Sequence, residues 1–242
     1  LPELLVTQIL ATALNQGCGK LPKLGKMVLK DSMRILLVRH YKTLINLDDR
    51  IMGWGDAPRT RDWEADLLHV EAALRKAAVH VDAIYSSVLE RARGTARYYA
   101  RQRGIHLIHD TPALNEVNYG KLYRKPKEWV ARHIPEYKTD PDYVFPEGES
   151  FRQMQRRSVV FVTSLESRHS SDTLLLVAHA GVIRGLICHF LGLPFAPNLK
   201  RKISHRYLSE LVIEQGRCVH YGELGVPSGF VHERADQGKT IN

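Results

Sequence analysis

Two apolar runs of nearly the same spelling dominate the chain: residues 34–39, "RILLVR", and residues 172–179, "DTLLLVAH". Continuous apolar runs bounded by charge predict strands buried on both faces, as in a parallel sheet. Residues 81–87, "VDAIYSS", and 105–109, "IHLIH", predict two shorter strands, and 207–216, "YLSELVIEQG", alternates as a strand does. Helical spacing fills the intervals. It runs over 63–78, then over 88–104 as far as Gly104, over 150–168, and over 180–192 as far as Gly192 and Pro194. Strands alternating with helices predict an α/β fold whose sheet is covered on both faces. Functional side chains in such sheets gather beyond the carboxyl ends of the strands. Both of the strongest runs end there in a histidine, His40 and His179.

Two stretches break the pattern. Residues up to Thr60 after the first run are rich in Asp, Gly and Pro and read as a functional loop. Residues 119–149 mix aromatics, Pro and charge, with one helical fragment at "KPKEWVARHI", and read as a lid or pocket wall spanning about 117–149. Tyr41, Tyr119, Tyr123 and Trp129 are candidate wall residues, with core packing as the alternative. No repeat or composition shift calls for a second domain, so residues 31–242 are expected to form one. Residues 1–30 form an extension in which an apolar run precedes the lysines, the reverse of a secretory signal. A helix packed on the domain or a partner-binding arm stays open for it.

With 44% apolar and 25% charged residues among 242, the composition is that of a folded globular chain. A net charge of +9 fits a nucleic-acid surface, a solvated basic face or a pocket for a small anion. No zinc-finger spacing, basic arm or basic zipper supports nucleic-acid recognition. Cys18, Cys188 and Cys218 form no CxxC pair, which points to a reducing, cytoplasmic setting; Cys188 reads as a buried thiol. No run reaches the ~20 apolar residues of a membrane span. "GCGKLPK" lacks the full phosphate-loop pattern, and His69 has no second histidine for a metal site.

A histidine just beyond a buried strand can be held rigidly with a neutral, nucleophilic imidazole near pH 7. Arg39 beside His40 offers a planar, permanently charged fork for phosphate. Arg91, early in its helix, sits where free amides and the dipole already favour anions, with Arg93 as a competitor. Glu116, in "PALNEVNYG", can serve as a proton donor and acceptor beside such a pocket. Lys200, Arg201 and Lys202 either extend an anion-binding surface or form a solvated charge run.

At these residues the chain resembles the histidine phosphatase, or phosphoglycerate mutase-like, superfamily. "LLVRHYKTLINLDDRIMGWGDAP" is similar to the block that opens with Arg-His-Gly, with Asn46, Arg50, Gly53, Asp56 and Pro58 in register. "YSSVLERARGTA", "LNEVNYG", "FPEGESF" and "VAHAGVIRGL" resemble the later blocks in the expected order. The resemblance implies a three-layer α/β/α sandwich with a mostly parallel central sheet. It further implies that His40 is transiently phosphorylated, that Arg39, Asn46, Arg91 and His179 hold the phosphoryl oxygens, and that Glu116 is acid and then base. No cofactor or metal is expected, and the expected partner is a small phosphate ester.

Tyr41 and Lys42 depart from the pattern, since glycine usually follows the nucleophile. Both are expected at the pocket entrance, in contact with substrate, although a positive φ at residue 41 would strain a tyrosine. "HAGVIRG" and "PEYKTDPDYVFPEGES" look closer to the phosphatases than to the mutases. Hydrolysis of a small phosphomonoester is therefore the expected activity, ahead of a mutase and of a non-catalytic phosphate-binding scaffold.

Overall fold

The structure is a computed structural model that describes residues 32–230. The expectation for residues 1–30 lies outside it. Six strands form one sheet in the order β3-β2-β4-β1-β5-β6. These are β1 (Met33–Arg39), β2 (Ala83–Ser87), β3 (Ile108–Thr111), β4 (Thr173–Ala178), β5 (Leu208–Glu214) and β6 (Arg217–Glu223). The first four are parallel; β5 runs antiparallel to β1, and β6 antiparallel to β5. The helices are α1 (Leu44–Leu47), α2 (Trp63–Lys76), α3 (Glu90–Arg103), α4 (Lys127–His133), α5 (Phe151–Leu165), α6 (Ala180–Phe190) and α7 (Phe195–Asn198).

Alternation along the strands divides the core in two. Leu36, Val38, Leu175, Val177 and Ile84 point to one face, where Leu67, Val70 and Leu74 of α2 and Ala92, Ala96 and Tyr99 of α3 cover them. Ile35, Leu37, Leu174 and Leu176 point to the other, under Met154, Val162 and Leu165 of α5 and Val182, Leu186 and Ile187 of α6. The result is the α/β/α sandwich that the periodicities and the resemblance imply. Helix ends follow the local chemistry: Ser150 and Gln153 form a reciprocal capping box at the start of α5, and Gly104 closes α3 at φ 65°.

The register of β1 on β4 sets up the site. Val38 pairs with Val177 and Arg39 with Ala178, and the His40 amide donates to the Ala178 carbonyl at 3.0 Å. The two histidine-ended strands therefore stop side by side at the same edge. β2 ends one strand further over with Ser87, and the segment after β3 brings Glu116 to the same edge.

Candidate active site

His40 and His179 meet with ring centroids 5.0 Å apart, and both are buried. Their hydrogen bonds define which nitrogens carry protons. His40 Nδ1 lies 2.6 Å from the Tyr41 carbonyl oxygen, which can only accept, so Nδ1 is the protonated nitrogen and Nε2 keeps its lone pair. His179 Nε2 lies 2.8 Å from Ser87 Oγ. The Ser87 hydroxyl is already committed to Asn115 Oδ1 at 2.8 Å, an oxygen that also accepts from the Val88 amide. His179 Nε2 is thus the donor in that bond, and its Nδ1 is left buried without a partner. Burial first, and then the Arg91 and Arg39 charges and each other's company, hold His40 well below the ordinary histidine range. Burial, Arg91 and Arg39 do the same to His179. Both rings are neutral at pH 7.

Arg91, in the first turn of α3, is 1% exposed. Its Nη1 donates to the Gly55 carbonyl at 2.7 Å and its Nη2 to the Gly53 carbonyl at 2.6 Å, while Asp56 stands 3.5 Å away. The loop before Thr60 therefore aims this arginine. Gly53 makes the turn at φ 53°, and a Cβ there would lie 3.1 Å from the Val117 carbonyl. Arg39 donates to the Ile203 carbonyl and keeps its Nε unpartnered. Burial pushes both guanidinium groups down to about 10, opposed by the Glu116 carboxylate, and both stay charged at pH 7.

Glu116 sits on the amino end of α6. Its Oε2 accepts from the Gly181 amide at 3.2 Å and its Oε1 from the Val117 amide at 3.1 Å. Gly181 permits this: a Cβ there would overlap Glu116 Oε1 and come within 3.1 Å of Met154 Sδ. The backbone of Glu116 is clamped as well. Its carbonyl accepts from Trp54 Nε1 at 2.6 Å and Arg157 Nη2 at 3.0 Å, and Arg157 is itself paired with Glu149 at 2.7 Å.

Arg39, His40, Asn46, Arg91 and Glu116 open onto one cavity of about 740 Å³; His179 is fully buried against the His40 ring and does not itself line the cavity. Asn46 is only half spent on capping α1, through Thr43 N–H to its Oδ1 at 3.1 Å. Such a set can surround a tetrahedral anion with charged and neutral donors and present an imidazole lone pair to it.

Tyr41 and Lys42 are not where the sequence reading put them. Successive residues leaving a strand point to opposite sides. His40 faces the cavity, so the Tyr41 ring turns into the core beneath α2 and α3, edge-on to Trp63 at 5.4 Å and against Gly94. Residue 41 has no positive φ, so its side chain brings no backbone strain. Lys42 contributes a backbone carbonyl to the Thr60 amide and does not line the cavity. Arg93 is paired with Asp110 at 2.8 Å, away from the cavity. Of the candidate wall aromatics only Tyr119 lines the cavity; Tyr123 covers Gly55 and Trp129 stacks on His133 at 4.2 Å.

The sequence reading missed other members of the site. His205 Nδ1 donates to the His40 carbonyl at 2.7 Å, and its ring stands edge-on to that of His40 at 5.3 Å. Ser87 and Asn115 orient His179, and Arg184 and Lys138 line the cavity. Arg184 had a legible signal, since it falls one helical turn after Ala180 in "HAGVIRG", on the face that follows His179. His205 had none, because the segment around it has no regular period.

The model of the histidine phosphatase superfamily, branch 1, matches residues 35–221. A 2,3-bisphosphoglycerate-dependent phosphoglycerate mutase of Bartonella henselae is 30% identical over 169 residues, 66% of this chain and 82% of that protein. A probable phosphoglycerate mutase GpmB of Escherichia coli is 27% identical over 208 residues, 84% of this chain and 92% of its own. Among solved structures, a putative alpha-ribazole-5'-P phosphatase from Escherichia coli superposes with a TM-score of 0.69 at 25% identity. It covers 80% of this chain and 96% of that one.

Proposed function

The chain belongs to the histidine phosphatase superfamily (branch 1), and from that premise we propose that it hydrolyses a small phosphomonoester through a phosphohistidine at His40. The observation that carries the reading is the convergence of His40, Arg39, Arg91 and Glu116 on one basic cavity, with the buried His179 ring 5.0 Å from that of His40. The neutral His40 Nε2 attacks phosphorus, the bond from phosphorus to the ester oxygen breaks, and a proton from the Glu116 carboxyl goes to the leaving oxygen. Glu116, now a carboxylate, takes a proton from water as the water oxygen attacks the phosphohistidine. The P–N bond then breaks and inorganic phosphate leaves, returning the lone pair to Nε2.

The remaining groups act on charge. Arg39 and Arg91 meet the equatorial oxygens with fixed donors, typically the largest catalytic contribution. His179 enters neutral with a bare Nδ1, so an arriving phosphate dianion draws a proton onto that nitrogen and gains a further donor. Asn46 supplies a neutral donor from the cavity wall. A cytoplasmic setting fits the three dispersed cysteines.

The mutase names among the relatives favour a second reading, in which the phosphoryl group returns to another substrate hydroxyl. The two separate in one assay. Purified protein is incubated with a panel of phosphorylated metabolites, with inorganic phosphate and positional isomers followed by phosphorus NMR. Stoichiometric phosphate release supports the hydrolase; isomerisation without release replaces it with the mutase. A folded protein that does neither favours a phosphate-binding scaffold.

A further inference from the structure

The cavity is larger and more basic than one phosphoryl group requires. Its volume of about 740 Å³ is in the range of sites that enclose whole small metabolites. Nine arginines and lysines line it against three carboxylates, Asp49, Glu116 and Glu128, so most of the positive charge has no internal counter-ion. Lys127 is satisfied by Asp49, and Arg201 is occupied by Asn198, the Ser228 and Gly229 carbonyls and the Phe230 ring. Lys138 and Arg184 have no such release. Among the described residues neither has a carboxylate within ion-pair distance.

Arg184 is 6% exposed, donates one bond to the Arg201 carbonyl at 2.8 Å, and keeps its Nε buried without a partner. Lys138 lines the same cavity with its ammonium 5.2 Å from the Tyr137 ring, at a backbone φ of 57°. Burial, then Arg184, then Lys127 push its pKa down to about 8. Two cations held in a shared, partly dry space without an anion repel each other and lose hydration. A bound anion removes both costs at once.

We propose that Lys138 and Arg184 form a second anion subsite, so that the ester cleaved at His40 carries a second negative group, a carboxylate or a phosphate, that seats between them. Lys200 and Lys202, exposed on the same cavity, draw such a substrate in. The proposal rests on the phosphomonoesterase reading and narrows its substrate class to small bis-anionic esters.

A matched series tests it: propyl phosphate, the same chain ending in a carboxylate (3-phosphooxypropanoate), and 1,3-propanediol bisphosphate. The expected kcat/KM is at least ~10-fold higher for one of the two bis-anionic esters, and which one identifies the second group. Lys138→Gln and Arg184→Gln are expected to raise KM for the preferred ester at least ~10-fold more than for propyl phosphate. Equal turnover of all three esters, or equal losses across the series in folded variants, would overturn the subsite. Calorimetry on folded His40→Ala protein separates this from failure of the hydrolase reading. Tighter binding of the bis-anionic compounds than of propyl phosphate, lost in the Lys138→Gln background, supports the subsite even without turnover; equal binding refutes it.

Discussion

Replacing Gly181 by alanine puts the proposed acid under direct test. A Cβ at residue 181 overlaps Glu116 Oε1 and lies 3.2 Å from its Cδ, well inside the ordinary contact of ~3.5–4.0 Å. The carboxylate is the free end of a flexible side chain, so it moves while the helix stays. The displaced group loses the Gly181 amide bond at 3.2 Å, a charge-assisted contact of about 1.5–3 kcal/mol. Folding is not at risk. Gly181 lies in the first turn of α6 without a positive φ, and Ala in a helix is favoured over Gly by about 1 kcal/mol. General acid catalysis contributes roughly 10²–10⁴-fold, and an activated leaving group needs little of it. The assay compares kcat/KM, which reports transfer to His40, for an alkyl phosphate and for p-nitrophenyl phosphate. Gly181→Ala should lower the alkyl value about 10²-fold or more and the p-nitrophenyl value by less than ~10-fold. Equal losses for both esters, or none, would refute the role given to Glu116.

Arg157 positions the segment that carries Glu116, donating to the Ala113 and Glu116 carbonyls at 2.8 and 3.0 Å. Arg157→Met should show the same leaving-group signature as Gly181→Ala at about a tenth of the size, with partial rescue in Arg157→Lys; loss of Tm without that signature would mark a purely structural role. The three most strongly depressed histidines, His40, His179 and His205, also fix a pH dependence. Between their folded values and about 6.5 the unfolded chain binds more protons than the folded one, so stability is full above that pH and falls as pH drops below it. Denaturant titrations across that window should show a steeper slope than in His179→Asn protein. Saturating inorganic phosphate should flatten the slope, because the bound anion raises the proton affinity of His179 in the folded state; a slope unmoved by either change would contradict the neutral-histidine assignment.

Much of this architecture is legible in the chain because buried parallel strands have an unmistakable composition. Residues 34–39 and 172–179 needed no structure to be read as buried strands that each lead into a histidine; that they are neighbours comes from the pairing of β1 with β4. β3 lies at 108–111 rather than 105–109, because a short half-buried edge strand takes its register from β2, through Ile84 opposite Ile108. β6 went unread: "RCVHYGE" is half-exposed at the sheet edge and shows no alternation, although Gln215 and Gly216, at φ 49° and 74°, make the hairpin turn. Tyr41 was misplaced because substitution against a family pattern says that a residue differs and not which way it points. Only the pleat of β1 decides that. Arg184, Lys138 and His205 come from three separate segments, and nothing short of the folded chain brings the first two to one cavity and the third against His40.

Rapid-quench trapping of the phosphoenzyme tests the central chemistry most directly. Protein mixed with a turned-over ester and quenched within milliseconds should carry one phosphoryl group that is labile to acid and stable to base, mapped by mass spectrometry to His40. The group should be absent from His40→Gln and should accumulate when Glu116→Gln slows its hydrolysis. An adduct on any other residue, or phosphate release with wild-type efficiency from His40→Gln, would contradict the account.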